Sequence, residues 1–329
     1  MLKELKDYNF FNNKNILITG GTGTIGKMIT EYLLSNTGIN KIVIFSRDEF
    51  KQFEMRKNFS KFDNSHKLKF KIGNICDINN TDFCNIDIVI HAAALKQIDT
   101  VENNAYESIK TNIIGTQNVI NACTYAKVKM LVGISTDKSV SPTNLYGATK
   151  LCLERLVVNA NNEHLKTCVL RYGNVLGSRG SVIPLFLKQE KIFTVTDINM
   201  TRFSLSIQEA CIFILNCMSI SEGGEIFIPI LEKYKVEQLC NLINPKNDIK
   251  IIGLRVGEKI HEELINECES IDSWKSEDFY IIKTTISDNM RNRFNFIKSK
   301  EKFSFNSDNA KLLDDKVLLN YINLFKSEK

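Results

Sequence analysis

Short apolar runs recur through the first half of the chain, with helical spacing between several of them. Residues 15–19 (NILIT), 41–45 (KIVIF), 68–72 (LKFKI), 86–90 (IDIVI), 130–135 (MLVGIS) and 166–172 (KTCVLRY) have the length and β-branched content of strands. Residues 26–34, 110–126 and 146–161 read as helices. Strand and helix alternating at this spacing specify βαβ units, hence parallel pairing and right-handed crossovers. The expected fold is α/β, a doubly wound parallel sheet. After residue 173 the alternation becomes irregular, and Gly, Asn and Ser cluster at 173–181. The pattern divides the chain into a sheet domain, 1–173, and a smaller mixed C-terminal domain, 174–329, with segments near 205–230 returning to the first.

Composition narrows the class. The 329 residues are 43% hydrophobic and 25% charged, ordinary globular values that exclude a disordered chain. A net charge of +5, from 43 basic and 38 acidic residues spread along the chain, gives no reason to expect nucleic acid. No apolar run reaches the length of a membrane span and no signal-like segment opens the chain, so the expected address is cytoplasmic. The nine cysteines include no C-x-x-C pair, and Cys123, Cys152, Cys211 and Cys217 lie in apolar stretches. They read as reduced core thiols. His66, His91, His164 and His261 have no metal-ligand spacing; no metal is expected, and His91 reads as structural.

The first chemical motif sits between the first strand and its helix. Residues 19–26 (TGGTGTIG) fit both G-x-x-G-x-x-G and G-x-G-x-x-G through Gly20, Gly21, Gly23 and Gly26. Glycine allows a tight turn and close approach of a pyrophosphate, and the helix N-terminus supplies free N–H groups. Thr22, Thr24 and Ile25 complete the loop. The second strand ends in Ser46-Arg47 with Lys51 beyond, a hydroxyl and cations suited to a 2′-phosphate. NADP is therefore expected over NAD, although Asp48 beside them points the other way. Asn74 and Ile75 are positioned to flank an adenine, and Ala92, Ala93 and Ala94 leave room for a dinucleotide.

The second motif is Ser135-Thr136-Asp137-Lys138 at the end of the fifth strand, followed by Tyr146-Gly147-Ala148-Thr149-Lys150. Tyr146 and Lys150, four residues apart, share a helix face. A tyrosine with pKa near 10 is a weak base, and a nearby ammonium would favour its phenolate. Tyr146 could then take a hydroxyl proton as hydride leaves the same carbon, with Lys150 also holding the nicotinamide ribose.

With these motifs in place, the chain resembles the extended short-chain dehydrogenase/reductases, and within them the 5-inverting UDP-N-acetylglucosamine 4,6-dehydratases of the pseudaminic acid type. The likeness rests on 19–26, Ser46-Arg47-Asp48-Glu49, 91–96 (HAAALK), Lys110-Thr111-Asn112, 135–138, 144–150, 171–180, Met200-Thr201-Arg202-Phe203 and Gly257-Glu258-Lys259, and spans about residues 12–280. It implies a Rossmann domain carrying NADP and a C-terminal domain carrying the sugar nucleotide. It implies oxidation at carbon 4, loss of water across carbons 5 and 6, and return of hydride to carbon 6, giving an L-arabino 4-keto product. Asp137 and Lys138 would be the acid and base of the elimination, Asp137 toward the leaving hydroxyl and Lys138 at carbon 5, or with those roles exchanged. Lys96, Ser135, Thr136, Asn174, Val182, Arg202 and Glu258 would meet the substrate, with Arg255 a second candidate for the diphosphate. Asn74 departs from the usual Asp. Family members are often dimers or hexamers, so a homo-oligomer is expected. Two other readings are a UDP-sugar 4-epimerase or keto-sugar reductase of the same superfamily, and a non-catalytic sensor of the same ligands.

Overall fold

A computed structural model describes residues 8–62, 66–176, 181–189 and 191–327 of the chain. Six parallel strands, β1 (Asn15–Thr19), β2 (Lys41–Ser46), β3 (Leu68–Ile72), β4 (Ile88–His91), β5 (Met130–Ile134) and β6 (Lys166–Leu170), lie in the spatial order 3-2-1-4-5-6. β1, β2 and β4 are almost continuously buried, because helices cover both faces; this explains their apolar runs without alternation. The crossovers carry α1 (Thr24–Asn36), α2 (Glu49–Phe59), α3 (Ile98–Asn103), α4 (Ala105–Ile109), α5 (Gly115–Tyr125) and α6 (Leu145–Asn159). A π-turn at Lys110–Ile114 joins α4 to α5, so the helix expected over 110–126 begins with one irregular turn.

Beyond β6 the chain builds a second layer. α7 (Val182–Phe186), β7 (Ile192–Val195) and β8 (Thr201–Phe203) precede α8 (Ile207–Ile220), whose N-terminus is closed by a Ser206–Glu209 capping box. The following strand, β9 (Glu225–Pro229), returns to the main sheet, parallel to β6. β10 (Lys233–Lys235) pairs with β8 and leads into α9 (Val236–Ile243); β11 (Asp248–Ile251) pairs with β7. After β12 (Glu263–Ile265) and α10 (Glu267–Ser270), β13 (Ser273–Lys275), β14 (Phe279–Ile282) and, past α11 (Asp288–Phe294), β15 (Ile297–Lys298) extend the sheet antiparallel to ten strands. β16 (Phe305–Asn306) pairs with β12, and α12 (Asp315–Ser327) ends the described chain. The late strands β13 to β15 lie outside the segments that the division at 173 returns to the sheet.

One large core fills the space around the sheet. A second cluster, including Phe186, Phe193, Tyr234, Leu239, Leu318 and Ile322, sits under α7, α9 and α12. Between them opens a cleft of about 810 Å³. All nine cysteines are free; Cys123, Cys211 and Cys217 are buried, while Cys152, expected in the core, is exposed on α6. Among the described residues no helix is long and apolar enough to cross a membrane.

Candidate active site

The cleft starts at the glycine turn. Gly23 caps α1 without a side-chain bond, leaving the first N–H groups of the helix open to an anion. Gly20 has φ +66°, and a Cβ there would stand 2.8 Å from the backbone of Ala93. The turn thus accepts glycine and brings the β4 loop, with Ala92 and Ala93, against it. This narrow cradle fits a dinucleotide pyrophosphate. His91 lies buried between Thr19 (2.8 Å) and Thr116 (3.0 Å). Burial, and then Lys150, push its pKa down to about 3, so it is a neutral structural imidazole.

The expected cofactor residues Gly20, Thr22, Gly23, Thr24, Ile25, Gly26, Ser46, Arg47, Lys51, Asn74, Ile75, Ala92, Ala93, Tyr146 and Lys150 all line this cleft. The end of β2 differs from expectation in its charge. Asp48 also lines the cleft, caps α2 by accepting from Lys51 N, and holds Lys51 Nζ at 2.5 Å. Asn74 Oδ1 accepts from Cys76 N, which turns the chain after β3.

The chemical groups come from the β5–α6 connection. Asn144 caps α6 by accepting from Gly147 N at 2.9 Å. A Cβ on Gly147 would approach Lys138 O to 2.1 Å, so the glycine lets the 136–139 loop lie directly on the helix start. Thr136 Oγ1 donates to Asp137 Oδ1 (2.9 Å). Thr136, Lys138, Tyr146 and Lys150 line the cleft; Asp137 is wholly buried behind them, its Oδ2 without a hydrogen bond. The Lys138 ammonium donates to Asp137 Oδ1 and Asn174 Oδ1, both at 3.1 Å, and meets Glu262 Oε1 at 3.0 Å.

The electrostatics correct one expectation. Burial pushes the Tyr146 phenol up to about 12, and the cation that opposes this is Lys138 rather than Lys150. Lys150 Nζ instead donates to Ile134 O at 2.5 Å, and burial lowers its pKa to about 8 against the pull of Glu154. Burial raises Asp137, more than Lys138 lowers it. Lys138 is held above the usual lysine range, because Asp137 and Glu262 outweigh its burial.

The expected substrate residues Lys96, Ser135, Thr136, Asn174, Val182, Arg202, Arg255 and Glu258 line the same cleft. Their commitments differ. The Ser135 hydroxyl donates to Glu154 at 2.6 Å, so its proton belongs to a buried network rather than to the cleft. Arg202 Nη1 donates to the carbonyls of Thr201 and Ile260, which aims the rest of the buried guanidinium at Glu258 and Glu262. Arg255, largely exposed, pairs with Glu258 at 3.1 Å. Residues 177–180, part of the matched 171–180 segment, lie outside the described residues. The sequence reading missed Glu262, Tyr234 and Lys259, which also line the cleft. Glu262, just before β12, had one signal: it stands four residues after Glu258 in a segment rich in charge.

Similarity to known proteins agrees with this geometry. The model of the polysaccharide biosynthesis protein family matches residues 16–284. A UDP-N-acetylglucosamine 4,6-dehydratase (inverting) of Campylobacter jejuni is 44% identical, over 95% of this chain and 98% of its own. The chain belongs to this family of inverting 4,6-dehydratases. The fold agrees throughout its length: the X-ray structure of Pen from Bacillus thuringiensis superposes with a TM-score of 0.87 at 36% identity, covering 96% of this chain and 99% of Pen. A UDP-glucose 4-epimerase of Rickettsia bellii is 39% identical over 83% of both chains.

The expectation of NADP, and of a conversion run with NADP as hydride carrier, is overturned. Structures sharing the fold were solved with NAD: UDP-glucose 4-epimerase of Thermus thermophilus (TM-score 0.63, 19% identity) and the DesIV dTDP-glucose 4,6-dehydratase of Streptomyces venezuelae (TM-score 0.66, 17% identity). The physical reason is at hand in Asp48. Its carboxylate engages Lys51 and would repel a 2′-phosphate, whereas it can accept from ribose hydroxyls.

Proposed function

We propose that the chain converts UDP-N-acetylglucosamine to a UDP-2-acetamido-2,6-dideoxy-4-keto-hexose with inversion at carbon 5, releasing one water. The observation that carries this reading is the meeting of Tyr146, Thr136 and Lys138 on one cleft wall, with Asp137 directly behind. An oxidation at carbon 4 needs only the Tyr146 side of that cluster; an elimination needs further acid and base groups. Gly20, Gly23 and Gly26, with Ala92 and Ala93, would hold a nicotinamide dinucleotide, which when bound would supply the reversible hydride carrier that oxidation at carbon 4 and reduction at carbon 6 require.

The chain's own residues move the protons. Tyr146 takes the proton of the carbon 4 hydroxyl, its phenolate favoured by Lys138. Lys150 orients the nicotinamide ribose. In the elimination the carbon 5–hydrogen bond breaks, and its electron pair becomes the carbon 5–carbon 6 double bond. The carbon 6 hydroxyl leaves as water, on a proton from Asp137 passed through the Thr136 hydroxyl. Lys138 serves at carbon 5, and reprotonation from the opposite face inverts that centre. Two protons leave the sugar and two return, one within the water. Lys96, Arg202 and Arg255 face the diphosphate; Asn174, Val182 and Glu258 face the sugar and ribose.

This reading carries a cytoplasmic address and a homo-oligomer, dimer or hexamer. It also rests on the division into a nucleotide-binding domain and a sugar-nucleotide domain around residue 173. Incubation with UDP-N-acetylglucosamine in heavy water, followed by NMR, is the test. The expected product is a 4-keto-6-deoxy sugar with deuterium at carbon 5; a product epimerised at carbon 4 with its carbon 6 hydroxyl intact would replace the dehydratase reading with the epimerase one. The Rickettsia bellii relative favours keeping that second reading in the experiment. Asp137→Asn and Lys138→Ala separate the two, because only the dehydratase needs both.

A further inference from the structure

The ammonium of Lys138 has three N–H donors, and three acceptors surround it: Asp137 Oδ1 at 3.1 Å, Asn174 Oδ1 at 3.1 Å and Glu262 Oε1 at 3.0 Å. A group so occupied has neither a lone pair to take a proton nor a spare donor. For Lys138 to act at carbon 5 it must first pass a proton to one of its neighbours. Asn174 cannot take it. Asp137 is already the group that burial drives toward its neutral form. Glu262 remains. It is 3% exposed, yet it lines the cleft, and its Oε2 has no hydrogen-bond partner. A buried carboxylate oxygen left unpaired costs free energy, so its retention needs a reason.

We infer that Glu262 is a positioning residue for Lys138: from the C-terminal half of the chain it fixes the ammonium in the cleft wall and takes its proton when Lys138 turns to carbon 5. The balance is simple. One N–H bond of Lys138 breaks and an O–H bond forms on Glu262, giving a neutral amine and a neutral carboxyl. The amine then takes the carbon 5 proton, restoring the ammonium, and the carboxyl proton is available for the return. Burial alone would raise Glu262, but Lys138 and then Arg202 pull it below the usual glutamate range, while Asp137 and Glu262 hold Lys138 above the usual lysine range; the ion pair is therefore the resting state, and the transfer runs uphill from it, driven by further desolvation of both charges when a sugar fills the cleft. The other charged or titratable groups facing the pair are Arg202, Lys259, Tyr146, Tyr234 and Asp137. Asp137 is the one other carboxylic acid among them, and burial raises it. The inference rests on the proposed dehydration but concerns a different atom set.

Glu262→Gln keeps the size and one acceptor while removing the charge and the proton site. In the variant, turnover should fall by roughly 100-fold or more, with KM for UDP-N-acetylglucosamine changed by less than about threefold. Absorbance of reduced nicotinamide should still appear on mixing with substrate, because oxidation at carbon 4 uses Tyr146. Solvent deuterium entry at carbon 5 should be lost with turnover, and Glu262→Asp should regain part of both. Independently of substrate, NMR titration of isotope-labelled Lys138 should show its transition at lower pH in Glu262→Gln than in the parent. An unchanged Lys138 titration overturns the inference even if the parent enzyme dehydrates the sugar. Equal loss of carbon 4 oxidation and carbon 5 exchange also overturns it, since that is the signature of a collapsed site. A parent enzyme that forms no dehydrated product, with the Lys138 shift present, removes the dehydratase reading and leaves the Glu262–Lys138 linkage standing.

Discussion

Arg171 and Glu154 face each other with no exposed surface, Arg171 Nη2 lying 2.6 Å from Glu154 Oε2 and its Nε 2.9 Å from Oε1. The same Oε1 accepts from Ser135 (2.6 Å) and Ser139 (2.7 Å), the two serines that flank Thr136, Asp137 and Lys138. A buried bidentate pair therefore holds both ends of the reactive loop. Glu154→Ala leaves a buried guanidinium with Glu269 as its remaining carboxylate partner beside the Leu264 carbonyl, and should destabilise the protein by roughly 3–5 kcal/mol in denaturant titration. Burial opposes the Glu154 charge, but Arg171 outweighs it and depresses the folded-state pKa. That contribution is complete above the ordinary glutamate pKa and disappears as pH falls through the depressed folded value. The variant should lose this part of the acid-side slope of stability against pH.

Gly147 tests whether the loop must lie flat on α6. A Cβ would stand 2.1 Å from Lys138 O, so backbone has to move. Gly147→Ala should cost about 1–3 kcal/mol, the range of overpacking. It should also reduce dehydration far more than it weakens NAD binding, because the glycine turn is remote from this contact. Thermal unfolding and cofactor titration, run side by side, check both.

Asp48 can be tested as the residue that selects the cofactor. The parent should bind NAD more tightly than NADP in calorimetry. Asp48→Asn preserves an oxygen to cap α2 while removing the charge and releasing Lys51. The ratio should then move toward NADP by about tenfold, the order expected for one charge acting through partly exposed surface. An unmoved ratio would show that selection lies elsewhere along the cleft.

Tyr146 should be indispensable to turnover and dispensable to binding. Tyr146→Phe removes the proton acceptor while keeping the ring, and should lower kcat by roughly 100- to 10,000-fold. The affinity for UDP-N-acetylglucosamine should stay near the parent value. Because burial raises the phenol to about 12 in the protein itself, activity of the parent should rise on the alkaline side, where the phenolate is easier to form. A pH-rate profile reads that limb directly.

The parallel half of the fold was legible because buried strands announce themselves as unbroken apolar runs, as at Ile16, Leu17 and Ile18. The glycine turn was legible for the same kind of reason: Gly20 has a backbone conformation that side chains rarely adopt. α2 left little trace, since it buries only Gln52, Met55 and Phe59 and exposes Phe50 and Phe53. β13 and β15 are too short to show a period. At the site, motif spacing located Tyr146, Lys150 and Lys138, but a spacing carries no information on partners. It could not show that Lys150 turns to Ile134 O, that Ser135 is committed to Glu154, or that Glu262 arrives from a distant part of the chain to meet Lys138 at 3.0 Å. Such long-range contacts are set by packing of the two layers, which no local pattern encodes.

Arg171 directly follows β6, while Glu269, one of its two carboxylate partners, belongs to α10 nearly a hundred positions later. A ribosome that has released the chain only as far as Asn174 has thus made a guanidinium with one of its two carboxylate partners and a lysine awaiting one of its acceptors. The reactive loop has Glu154 to hold its ends from the start but gains Glu262 only once the late segment has docked, so a chain truncated before it should be handed to chaperones or proteases rather than persist as a small dinucleotide-binding domain.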